Sequence, residues 1–329
     1  MSLIPTIYSS TDPGAPVLSG QAGSLVALLD AILVDGYGSG GNAKAPLGWS
    51  REFTATNKRA YRLPPVGTTG YYLRVDDTAM VGNARHAWLR GHKSLSDIDT
   101  GTDAVPDAAI AANSAGIMWI KSITADGTAR AWWAIGNERA LYLFIAASNN
   151  AEREVPLFVG DITTRMAVDG YNFVIAGSPL ATYTGTTSQS HSHFLNAVSS
   201  WSSTSTTLAA ASGVIARGIS GLPGAEYVTI PFFGAGTIGS GSGFPYPDAA
   251  GNELIVDHIR AKSAAQWGFR GYFPGVLGPA HDLPLVDRQR YDDLQVLGGV
   301  SVIAKNFKDG GINTSTGMGQ VLFVVDQEW

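Results

Sequence analysis

A mainly β architecture, built of β-sandwich-like domains with one short N-terminal amphipathic helix, is predicted by three observations. Short apolar or weakly alternating runs recur along the chain, at Tyr71–Val75, Ile117–Ile120, Arg130–Ile135, Leu141–Ala146, Val155–Val159, Tyr171–Ile175, Tyr227–Phe233, Val300–Ala304 and Val321–Val325. Gly, Asp, Asn and Pro clusters rather than helical periods separate them, which favours sandwiches or barrels over a parallel sheet with crossover helices. The composition agrees: 40 Gly in 329 residues, with only 15% charged residues, suits many strands joined by turns.

The helix comes first. Leu25, Leu28, Leu29, Ile32 and Leu33 recur at i, i+3, i+4, i+7 and i+8, the stripe of an amphipathic helix. Ser24 is the expected N-cap and Gly36 the expected stop, since glycine takes the left-handed conformation without a Cβ penalty. The sharpest composition shift is 183–211, dense in Ser and Thr and nearly free of charge. It divides the chain into an N-terminal arm and helix (1–35), a β-rich domain (36–182), a Ser/Thr-rich linker or loop (183–211) and a second β-rich domain (212–329). Gly234–Asp248 is a further long loop, of the kind that compact domains keep for function or contact.

Composition narrows the function. At 45% apolar residues the chain can bury a substantial core, so disorder is excluded as its main state. A net charge of −5 with 22 scattered Lys and Arg argues against a grip on nucleic acid, which needs clustered cations. No Cys is present, which removes thiol nucleophiles, thiolate-bound metals and disulfides together. The start does not have the form of a signal peptide, and no run approaches the roughly 20 apolar residues that span a bilayer, so membrane insertion is not expected.

Chemical motifs are weak. Gly36, Gly38 and Gly41, and again Gly234, Gly236 and Gly239, match G-x-G-x-x-G, but neither sits between a strand and a helix as a dinucleotide site requires. No cofactor is expected. His191 and His193 would share one face of a strand and reach one metal, set against a solvated Ser/His loop. Asp97, Asp99 and Asp103 could serve a hard cation such as calcium, but Thr102 and Ala108 fall where an EF-hand needs Gly and Glu. The plain alternative is an Asp-rich turn, and Asp76–Asp77 is read as a turn as well. There is no G-x-S-x-G elbow, H-E-x-x-H or P-loop, and none of the glutamates sits in a signature, so no catalytic residue is assigned and the chain is expected not to be an enzyme. Trp119, Trp132, Trp133, Trp201, Trp267 and Trp329 are core or interface anchors, with sugar stacking as the alternative.

Specific residues carry a resemblance. Gly36–Gly38 after the helix, Gly48–Trp49, Phe53–Arg62 and Arg74–Asp77 resemble a pattern in a family of virion structural proteins of tailed bacteriophages, and Arg270–Leu285 resembles a second element of that family. The stretch 178–229 lies outside the pattern. What the resemblance implies is a non-enzymatic structural component of the phage tail or baseplate, made in the host cytoplasm and located in the virion. Its expected partners are other tail or baseplate proteins and further copies of itself. Leu25, Leu29, Ile32 and Trp49 are the candidates for docking to neighbouring subunits, and loss of residues 1–23 is expected to block assembly while leaving the β-domains folded. The alternatives are a receptor- or glycan-binding tail protein recognising a host surface glycan, or a polysaccharide hydrolase.

Overall fold

The computed structural model describes residues 3–81, 83–106, 116–147, 154–164, 169–176, 213–217, 226–229, 256–263, 269–279, 285–308 and 318–329. In chain order these form β1 (Thr6–Ser9), α1 (Ser24–Asp30) with one π-helical turn beyond it (Ala31–Asp35), β2 (Ser50–Ala55), β3 (Lys58–Arg62), β4 (Tyr72–Asp76), β5 (Met80–Val81), β6 (Ala84–His92), β7 (Ser94–Asp97), β8 (Thr100–Thr102) and β9 (Ile117–Ser122). There follow β10 (Trp132–Gly136), β11 (Ala140–Ala146), β12 (Glu154–Asp161), β13 (Thr163–Thr164), β14 (Phe173–Ala176), β15 (Gly213–Ile215), β16 (Glu226–Thr229), β17 (Val256–Ser263), β18 (Phe269–Pro279), β19 (Arg290–Leu294), β20 (Val300–Lys308) and β21 (Met318–Val324). The protein is mainly β, as the spacing of its apolar runs predicts.

All ladders among the described residues are antiparallel. The larger sheet has the order β1-β10-β11-β12-β14-β15-β16-β17-β18-β21-β20-β19, with β13 pairing β18. The smaller runs β2-β3-β4-β6-β5, with β9 also on β6, and β7 and β8 form a separate hairpin.

Strands β10 to β12 and β14 form a central layer, because they are apolar on both faces. On one face Trp132, Ala134, Leu143, Leu157, Val159 and Phe173 pack against α1 and the smaller sheet. On the other, Trp133, Tyr142, Phe144 and Phe158 pack against Phe273, Val276 and Phe323 from β18 and β21. Successive side chains of a strand point to opposite faces, so one doubly apolar strand feeds two cores. The segment 183–211 lies outside the described residues. Strands on either side of it belong to one sheet, and residues from both sides contribute to the second of these cores.

The helix forms where the periodicity places it, with a different cap. Ser24 is the first helical residue, and its hydroxyl donates to Ser19 O at 2.8 Å rather than capping. Asp77 takes the cap's place from the end of β4, accepting the Leu25 N–H at 2.8 Å. A carboxylate there satisfies an orphan donor and complements the positive end of the helix. Gly36 ends the helical segment at φ 74°.

Two expectations about docking are corrected by this packing. Leu25, Leu29, Ile32 and Trp49 are 0, 1, 0 and 3% exposed, so they belong to the chain's own core. Their apolar stripe is covered by the smaller sheet and the central layer, which leaves none of it for a neighbouring subunit. The arm is likewise integral: β1 pairs β10, and Tyr8 and Leu18 are fully buried. Removing residues 1–23 would therefore strip a sheet strand and open the core.

Candidate polar cleft between the two sheets

The segment joining β3 to β4 meets the end of β12, and a cleft of about 320 Å³ lies there. Thr69 donates its backbone N–H to Asp161 Oδ2 at 2.6 Å and its hydroxyl to Oδ1 at 2.7 Å. The central layer holds Asp161 2% exposed, and this burial pushes its carboxyl up to about 6 against the pull of Thr69, Arg139 and Lys93. Desolvation disfavours the charged form more than two hydrogen bonds and two nearby cations restore it.

Around this clasp the walls are polar. Asn172 donates from Nδ2 to Ile162 O at 2.6 Å, while its Oδ1 is buried without a hydrogen-bond partner. Asp169 is tied to Arg270 at 2.7 Å, both side chains almost fully enclosed. Arg139 donates to Gly67 O and to Trp329 O, each at 3.3 Å, joining the rim of the cleft to the chain's last residue. Thr68, Thr163 and Thr164 also line it, and Ile162 is the one apolar side chain among the described residues of the lining.

Behind Thr69 lies a cationic and aromatic cluster. Lys93 donates to Thr69 O at 3.0 Å and to Gly170 O at 3.1 Å, with its ammonium 5.0 and 5.4 Å from the ring centres of Tyr71 and Tyr171. Arg217 stacks over Tyr171 at 3.7 Å. Burial lowers the pKa of Lys93 and raises that of Tyr71, so at neutral pH the ring stays protonated and its face is available to the cation.

The residues singled out from sequence lie elsewhere. Asp97 accepts the N–H of Ile98, Asp99 pairs with Lys58 and Arg74, and Asp103 pairs with Arg217. Each carboxylate is thus engaged locally, and no group of three or more His, Asp or Glu is placed to hold a metal among the described residues. His191, His193, Gly234–Asp248, Trp201 and Trp267 lie outside the described residues. Trp119, Trp132, Trp133 and Trp329 are buried, which makes them core anchors with no face open to a sugar. No helix among the described residues is long and apolar enough to cross a membrane.

Sequence reasoning missed Thr69, Arg139, Asp161 and Asn172. They belong to no motif, and Thr69 and Asp161 are 92 positions apart. In comparisons with known proteins, no family model and no curated protein matches this chain.

Proposed function

We propose that this chain is a non-enzymatic structural component of a tailed-bacteriophage virion, placed in the tail or baseplate and acting through symmetric protein–protein contacts. One observation carries the reading: the residues that resemble the virion family act as fold determinants. Tyr61 donates to Val26 O at 3.1 Å and to Asp30 at 2.9 Å, Arg59 pairs with Asp30 at 3.0 Å, and Asp77 binds the helix N-terminus and Lys121. Motif positions devoted to seating a helix on a sheet suit a protein whose shape is its function. The β-rich fold and sparse surface charge fit assembly among neighbours.

Immunogold electron microscopy of intact particles, paired with light scattering of the purified chain, tests this. Label on the tail or baseplate together with a symmetric oligomer is the expected result. Absence of label from intact and disrupted particles, with a monomer in solution, would overturn it.

A second reading, recognition of a host surface glycan, is favoured by the polar lining of the cleft at Asp161.

A further inference from the structure

We infer that the cleft between Thr69, Arg139, Asp161, Thr163 and Asn172 is a binding site for a neutral, polyhydroxylated ligand, a saccharide unit. The inference stands on the cleft itself and does not depend on placing the chain in a virion.

The volume of about 320 Å³ falls within the range of about 300–1,000 Å³ typical of small-molecule sites. Such sites are ordinarily lined by apolar and aromatic groups; here Ile162, the one apolar side chain among the described lining residues, is 1% exposed. An apolar ligand would therefore gain little by entering.

Charge argues against an ion. Asp161 sets a carboxyl group against an anion and Arg139 opposes a cation, while Asp169 is already paired with Arg270. A neutral ligand meets neither penalty.

The hydrogen-bonding inventory then selects hydroxyl groups. Oδ1 of Asn172, on a residue only 9% exposed, is an acceptor whose partner is missing, and a buried acceptor left unpaired is costly. Its Nδ2 is already committed to Ile162 O, which fixes the amide so that the oxygen is the unpaired atom. Asp161 retains acceptor capacity beyond the two bonds from Thr69, and the Thr163 hydroxyl both donates and accepts. A sugar presents several hydroxyls, each of which can donate and accept.

The test is ligand-observed NMR titration of the full chain with glucose, galactose, mannose, N-acetylglucosamine and their disaccharides, with calcium chloride and sodium phosphate as separate arms. Two variants accompany it. Asn172→Leu removes the unpaired buried acceptor, and Thr163→Val makes a same-shape change on an exposed residue of β13. Saturable binding of at least one sugar, weakened about tenfold in Thr163→Val at unchanged melting temperature and at least as much in any folded Asn172→Leu protein, is the expected result. Three outcomes would overturn the inference: no saturable sugar binding by the natural chain, sugar binding unchanged in Thr163→Val, or saturation by calcium or phosphate with none by sugar.

Discussion

Thr69 presents both its backbone N–H and its hydroxyl to the carboxyl group of Asp161, at 2.6 and 2.7 Å, and so clasps the smaller sheet to the larger. Asp161 is a buried acid whose pKa in the folded chain, about 6, lies above its ordinary 3.8. The fold therefore holds the proton more tightly than the unfolded chain, so this group favours the folded state most below pH 3.8, and that contribution is lost as pH rises through 6. About two pKa units correspond to about 3 kcal/mol. Asp161→Asn should cancel this part of the pH dependence: urea unfolding at pH 4 and pH 7 should show the natural chain losing up to about 3 kcal/mol relative to the variant. An equal pH dependence in the two proteins would contradict the assignment.

His86 and His92 act in the opposite sense. Burial pushes both down to about 4, helped at His92 by Arg90 and Arg74, so the fold holds them neutral. Stability from these groups is complete above pH 6.5 and is lost as pH falls through 6.5 toward 4. Two histidines outweigh one aspartate over this window, and the chain should lose stability on acidification. In the His86→Gln, His92→Gln double variant the loss of stability on acidification, followed by tryptophan fluorescence, should be smaller, because the two depressed imidazoles are gone.

Gly91 of β6 lies against Phe173 of β14, where an added Cβ would come within 2.5 Å of the ring. Phe173 cannot retreat, since it stacks on Tyr71 with centroids 5.0 Å apart and planes 8° from parallel. Gly91→Ala should cost about 1–3 kcal/mol, the usual penalty for overpacking a close contact. Gly41→Ala, where an added Cβ meets nothing within 4 Å, should leave the melting temperature nearly unchanged.

Lys121 and Asp77 pair at 2.6 Å with both side chains fully buried. Lys121→Met should destabilise the chain by about 3–5 kcal/mol, because it leaves a fully buried carboxylate without its cation. The double variant Asp77→Asn, Lys121→Met should cost less than the sum of the two single changes, which a double-mutant cycle in urea would read directly.

The edge strand β1 is shielded by side chains. Lys44 donates to Ile7 O at 3.0 Å, and Asp12 accepts the Ser9 N–H at 2.8 Å and the Tyr37 hydroxyl at 2.7 Å. Unpaired backbone groups on an edge recruit further strands. Asp12→Ala should speed amide exchange at Ser9, and the Asp12→Ala, Lys44→Ala pair should raise the aggregated fraction in light scattering.

Legibility from sequence differed by element for identifiable reasons. Leu141–Ala146 and Val155–Val159 stand out because β11 and β12 are buried on both faces, which demands unbroken apolar runs. Strands β3 and β6 are obscured by Lys58, Arg59, Arg85 and Arg90. Pairing partly explains such charges: Arg59 is held by Asp30, and Lys58 by Asp76 and Asp99. Gly and Pro argue against a strand at Phe269–Pro279, yet β18 forms there, with Gly275 at φ 65° lying under the Trp329 indole. Asp77 looks like a turn residue because its partners, Leu25 and Lys121, are remote in the chain.

By itself, the sequence determined the β class, the helix and its glycine stop, and the strands of the central layer. Each rests on a period or run contained within a few residues. Tertiary structure decided which way those surfaces turned. It placed the helix stripe in the chain's own core, joined strands across 183–211 into one sheet and brought Thr69 to Asp161. Such outcomes depend on long-range pairing, in which apolar area is buried and polar groups find partners far away in the chain, and no local pattern records that pairing.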